Sequence, residues 1–107
     1  MTQQTAIITG GTGGLGAAVV RRFLDDGWRA VVPWVHAREL DRVAAHERLT
    51  LVEADLFDPV AAQGVAQAAG DGLAAVVNLV GGFAAGGRVH ETAVDVLDDQ
   101  LRLNLRP

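Results

Sequence analysis

The chain has 107 residues, room for one domain with a modest core, and half of them are hydrophobic. Nine arginines are interspersed among thirteen acids for a net charge of −4, which provides neither a basic stripe for nucleic acid nor a polybasic anchor for a membrane. There is no cysteine for a disulfide or thiolate metal site, no signal-peptide profile at the start and no apolar run long enough to span a bilayer, so a soluble cytoplasmic protein is expected.

Residues 5–9 (TAIIT) read as a short buried strand, because Ala6, Ile7 and Ile8 form the continuous apolar run of a parallel strand covered on both faces. Next comes Thr9-Gly10-Gly11-Thr12-Gly13-Gly14-Leu15-Gly16, with five glycines. Over residues 14–26, Leu15, Val19, Val20, Phe23 and Leu24 recur at three- and four-residue spacing, which predicts a helix ending at Gly27. A strand, a glycine turn and a helix N-terminus in this order aim free N–H groups and the positive end of the helix dipole at whatever lies above the turn. Glycine lets phosphate oxygens approach without a Cβ in the way, so a dinucleotide is the expected ligand.

The glycines satisfy three overlapping spacings. Gly11, Gly13 and Gly16 fit G-x-G-x-x-G; Gly10, Gly13 and Gly16 fit T-G-x-x-G-x-x-G; Gly10, Gly14 and Gly16 fit T-G-x-x-x-G-x-G. A P-loop is excluded, since its pattern requires a lysine and the chain has none.

Residues 30–35 (AVVPWV) predict a second strand, with Pro33 indicating an edge, a bulge or a strand end. A helix is expected over 38–47, burying Leu40, Val43 and Ala44. Residues 49–54 (LTLVEA) make a third strand, broken at Asp55. Asp58-Pro59 reads as an N-cap followed by proline at the first helical position, opening a helix to about Ala69 that Gly70-Asp71-Gly72 ends. A fourth strand is expected over 73–80, with Ala74, Ala75, Val76, Val77 and Leu79 buried, and a small-residue loop over 81–87 follows. Finally, Thr92 and Asp95 form a T-x-x-D capping signature for a helix to Leu105, with Val94, Leu97, Leu101 and Asn104 on one core-facing side.

Strands alternating with helices at this interval indicate an α/β fold, a doubly wound parallel sheet of about four strands. Ligands bind beyond the carboxyl ends of such strands, and the glycine loop, the 34–38 segment, Asp55-Leu56 and the 78–82 segment all fall there. His36, His46 and His90 lack metal-ligand spacing, and no metal site is predicted. The chain has no serine, lysine or tyrosine, which removes the usual alcohol nucleophile, Schiff-base amine and phenolic acid.

These residues together resemble the N-terminal part of a short-chain dehydrogenase/reductase, over essentially the whole chain. Thr9-Gly10-x-x-x-Gly14-Leu15-Gly16 is similar to the family's cofactor fingerprint, which favours that spacing among the three. Ala54-Asp55-Leu56 sits where the family has an aspartate that holds the adenine amino group, with the next backbone against the ring. Val77-Asn78-Leu79-Val80-Gly81 resembles the family's N-N-A-G, with Leu79 and Val80 in place of the second Asn and the Ala. Thr92 to Leu105 resembles the helix carrying the family's active-site asparagine, here Asn104. In the family that asparagine interrupts the helix and holds a water in a proton relay; without the resemblance, Asn104 reads as a backbone-satisfied amide or a helix-end cap.

The resemblance implies a Rossmann-like domain over residues 1–107 that binds a nicotinamide dinucleotide through Gly10, Thr12, Gly13, Gly14, Leu15, Gly16, Arg38, Asp55, Leu56, Asn78 and Gly81. The implied reaction is hydride transfer between the nicotinamide and a carbonyl or alcohol. The family's catalytic Ser, Tyr and Lys are absent, so the expected entity is a cofactor-binding half, truncated before the catalytic triad and inactive alone. The other reading is a non-catalytic nucleotide-binding or redox-sensing module; a flavin-binding domain fits less well, since its ribose-binding acid has no good candidate after Val35. Trp34-Val35-His36 and Arg38 favour NADP over NAD. The relatives pair another strand beside the fourth, so its free edge is expected to drive self-association or to take a completing chain. The 83–88 loop and His90 stand where they would border a substrate, which the sequence does not identify.

Overall fold

The computed structural model describes residues 3–82 and 84–106. Its main elements are β1 (Thr5–Thr9), α1 (Gly14–Asp25), β2 (Arg29–Trp34), β3 (Leu49–Glu53), α2 (Pro59–Ala69), β4 (Leu73–Asn78) and α3 (Val94–Leu105). The strands form one parallel sheet in the order β3-β2-β1-β4. This is the expected Rossmann-like α/β architecture.

The apolar run of β1 is continuous because its alternate residues serve two cores. Ala6 and Ile8 join Ala30, Val32, Val20 and Leu24 on the α1 side. Ile7 joins Val31, Ala54, Val65 and Ala69 on the α2 side. A period of two along each central strand thus fills both faces.

Both helix ends facing β2 are closed by arginines. Arg48 donates to the carbonyl of Leu24 at 2.6 Å and to that of Trp28 at 3.4 Å, at the C-terminus of α1. Arg29 donates to the carbonyls of Ala68 and Ala69 at the end of α2, and to Thr50 Oγ1. Each guanidinium lies where carbonyls lack intrahelical partners and the dipole is negative. At the other end of α2, Asp58 accepts from the Val60 N–H at 3.0 Å, the expected N-cap.

Pro33 sits in β2 without cost to the ladder. Pairing with β1 stops at Ile7↔Val31, so Pro33 lies on a strand end that continues only beside β3.

Three expectations fail on packing. The helix over 38–47 is instead a short 3-10 turn, Ala37–Arg42, and Val43 is extended. Only Val43 of its apolar residues packs on the α1-side core, while Ala44 is exposed, and a helix without an anchored face has little to stabilise it. β4 ends at Asn78, and its residues alternate between half-buried and exposed rather than being buried throughout. Ala75 and Val77 meet the α1-side core, whereas Ala74 and Val76 on the opposite face are exposed.

The third concerns α3. Its N-cap is Ala93 with no side-chain cap bond, since the Thr92 hydroxyl donates to the Arg88 carbonyl at 2.8 Å. Val94, Leu97, Leu101 and Leu105 are exposed, so the supposed core-facing side of this helix meets no core. What ties α3 to the loop after β4 is its last turn, through Asn104 and Leu103.

Candidate functional site

The glycine loop is built by close backbone approach. Gly10 has φ +70°, and a Cβ there would lie 2.7 Å from the carbonyl carbon of Leu79 and 2.9 Å from the Val80 nitrogen. A Cβ on Gly16 would overlap the Gly10 carbonyl, and one on Gly11 would come within 2.8 Å of Val32 Cγ1. Packing of β1, α1 and the loop after β4 therefore admits only glycine at these positions. Gly13, the N-cap of α1, donates to the Gly10 carbonyl at 3.0 Å. Gly14 has no atom within 4 Å of its would-be Cβ.

The first turn of α1 has no side-chain cap and no acid, so its N–H groups are not engaged by a capping side chain. Packing singles out Gly10 and Gly16, shared by two of the three spacings, and does not choose between Gly13 and Gly14. Gly11, not among the expected site residues, is as tightly held as Gly10. Its signal in the sequence is the G-x-G-x-x-G spacing of Gly11, Gly13 and Gly16.

Beside the loop lies a cleft of about 510 Å³. Gly10, Thr12 and Gly13 line it, with Trp34, Val35, His36 and Glu39 on the β2 side, Asp55, Leu56 and Phe57 after β3, and Leu79, Val80 and Gly81 after β4. The carboxyl ends of all four strands thus meet here, as the topology requires. Asp55 Oδ1 accepts from the Phe57 N–H at 2.9 Å, which folds the turn after β3 against the cleft. Thr12 is buried, and its hydroxyl donates to Glu39 Oε2 at 2.8 Å.

Of the expected residues, Gly10, Thr12, Gly13, Asp55, Leu56 and Gly81 line this cleft. Gly14 and Leu15 are exposed in the first turn of α1, and Gly16 is buried behind the loop. Arg38 is exposed and not part of the wall, whereas its neighbour Glu39, which the sequence did not suggest, is.

Asn78 and Asn104 line a separate cavity of about 250 Å³ with Thr9, Val80 and Leu105. Asn78 Oδ1 accepts from the Thr9 hydroxyl at 3.2 Å, tying β4 to β1. Asn104 accepts from the Gly82 N–H at 3.1 Å and donates to the Gly82 carbonyl at 3.3 Å, so its amide pairs with that residue as a neighbouring strand would. It also donates to the Gln100 carbonyl at 2.8 Å and is the penultimate residue of α3. A Cβ on Gly81 would strike Asn104, and one on Gly82 would strike Leu103. From the same turn, the Arg102 guanidinium lies 4.1 Å above the Phe57 ring at the cleft's edge. Of the loop expected to border a substrate, Phe83 lies outside the described residues, and residues 84–88 and His90 are exposed.

A family model described as the NAD dependent epimerase/dehydratase family matches residues 6–106. The chain belongs to that family. It is 40% identical over 60 residues to a short-chain dehydrogenase/reductase of Colletotrichum higginsianum, a match spanning 51% of this chain and 22% of that protein. Among solved structures, it superposes with a TM-score of 0.82 on a 3-ketoacyl-(acyl-carrier-protein) reductase from Brucella melitensis complexed with NADH, at 22% identity. It superposes with a TM-score of 0.76 on a blue fluorescent protein from a metagenomic library in complex with NADPH, at 29% identity. Each superposition takes in 96% of this chain and under half of the other, 45% and 46% respectively. The resemblance to short-chain dehydrogenases/reductases read from the motifs therefore holds. Among the described residues, no helix is long and apolar enough to cross a membrane.

Proposed function

We propose that residues 1–107 form the nicotinamide-dinucleotide-binding part of a short-chain oxidoreductase. The observation that carries this is the cleft at the carboxyl ends of all four strands, lined by Gly10, Thr12 and Gly13 beside the uncapped N-terminus of α1, with the loop closed by a Gly10–Gly16 approach that leaves no room for a Cβ. Relatives of the same sheet complexed with NADH and NADPH support it.

In this reading Gly10, Thr12, Gly13, Gly14 and Leu15 hold the pyrophosphate, with Gly16 maintaining the loop. Asp55 and Leu56 take the adenine, and Gly81 lines the floor. Asn78 acts by fixing β4 to Thr9, and Asn104 by holding Gly82, a positioning role in place of the expected catalytic one. The dinucleotide supplies hydride chemistry toward a carbonyl or alcohol; the protein part seen here binds and orients it. No Ser, Tyr or Lys is present among these 107 residues to move a proton for that chemistry, so this segment is proposed to bind without turning over.

The same absence favours, as a second reading, a module that senses the cofactor's redox state. In either case the free edge of β4 and the bare Val76 face, 54% exposed, are proposed to pair with a second copy or a completing chain. A cytoplasmic location and the lack of a nucleic-acid partner belong to the same proposal. The NADP expectation rests on Trp34-Val35-His36, which places no acid at the strand end, and on Arg38, which stands outside the cleft wall.

Isothermal titration with NAD and NADP tests the proposal. Saturable binding of at least one, weakened several-fold in Gly14→Ala, supports it; absence of binding to both contradicts it. Addition of a reducible carbonyl substrate to the loaded protein should produce no turnover.

A further inference from the structure

We infer that Glu39 sets the choice of dinucleotide and selects NAD over NADP, an inference that rests on the cofactor reading of the cleft. The end of β2 carries Trp34 and Val35, with no acid to receive ribose hydroxyls. The structure brings one in from the following turn. Glu39 is half-buried, lines the cleft beside Trp34, Val35 and His36, and is held by a hydrogen bond of 2.8 Å from the buried Thr12 hydroxyl, 27 residues earlier in the glycine loop.

A hydroxyl–carboxylate hydrogen bond of 2.8 Å holds the side chain against the glycine loop. Oε2 is engaged by Thr12, and Oε1 remains to accept from a ribose hydroxyl. The titratable side chains on the cleft wall are His36, Glu39 and Asp55, and no arginine is among them.

In sheets of this topology the adenosine ribose lies beside the second strand, where an acid accepts from the 2′-hydroxyl of NAD and a basic group receives the 2′-phosphate of NADP. Glu39 offers the first and opposes the second. Its carboxylate would face a phosphate that carries close to two negative charges, and Arg38, the cation that would offset this, is exposed and off the wall.

Calorimetric titration of the wild type and Glu39→Gln with NAD and NADP, at low and high salt, tests this. A carboxylate facing a phosphate dianion across a hydrated cleft predicts that the wild type binds NAD about tenfold more tightly than NADP, and that Glu39→Gln narrows the ratio to about threefold or less. High salt should narrow the wild-type ratio and leave that of the variant nearly unchanged. Because glutamine keeps an oxygen to accept from Thr12 and Glu39 stands on a 3-10 turn without buried residues, the variant should melt with the wild type. Equal binding of the two dinucleotides by the wild type, tighter binding of NADP, or a ratio unchanged in Glu39→Gln overturns the inference while leaving the cofactor reading intact. Failure of the wild type to bind either one overturns both.

Discussion

Gly16 lies against the carbonyl oxygen of Gly10 so closely that a Cβ on Gly16 would overlap that oxygen. The first turn of α1 is thereby seated on the end of β1, and the obstruction is backbone, which has no rotamer by which to move aside. Overpacking of this kind predicts that Gly16→Ala loses about 2 kcal/mol or more, read as a fall in Tm of about 10 °C. A melting curve unchanged from wild type would contradict that seating.

Gly14 makes the opposite case. It is the first residue of α1, with open space where a Cβ would go. Gly14→Ala should leave the fold intact or stabilise it by about 0.5 kcal/mol, through the lower entropy of the unfolded chain. Dinucleotide affinity should fall several-fold, because the methyl would enter the space above the loop. Melting and calorimetry on the one variant separate the two effects.

Arg48 and Arg29 close the C-termini of α1 and α2. Replacing Arg48 by Ala removes a donor from the Leu24 and Trp28 carbonyls and should cost about 1–2 kcal/mol in urea unfolding. Arg48→Met retains the apolar stem and should recover only a small part, since the charge-assisted bonds outweigh the packing. Arg29→Ala should behave alike at the other helix.

Asn104 both accepts from and donates to Gly82. Asn104→Asp keeps the acceptor and sets a carboxylate against the carbonyls of Gly82 and Gln100. The Gly82 amide should therefore exchange hydrogen faster in Asn104→Asp as well as in Asn104→Ala, while amides of β1 stay protected. Unchanged exchange at Gly82 in both variants would show that the amide does not hold the loop.

Much of the fold was legible because its signals are local. β1 and the Asp58-Pro59 start of α2 fall on the residues read from sequence, and the glycines at 10 and 16 could be placed from spacing alone. The 38–47 segment was misread because a helical pattern of Leu40, Val43 and Ala44 says nothing about whether a partner surface exists. The capping signature at Thr92 failed for a related reason, since the Arg88 carbonyl competes for its hydroxyl. Glu39 was invisible as a site residue: nothing in a run of charges marks which one bonds to Thr12, a contact that depends on how the turn after β2 lies over the loop.

The most direct test of the cofactor-site account is an amide NMR titration of the intact chain with NADH. The account predicts saturable shifts of Gly10, Thr12, Gly13, Gly14 and Leu15, together with Glu39, Asp55, Leu56 and Gly81, and little change along the groove that Ala17, Arg21, Arg42 and His46 line on the other side of α1. Saturable shifts confined to that groove, or none at the glycine loop up to millimolar NADH, would contradict it.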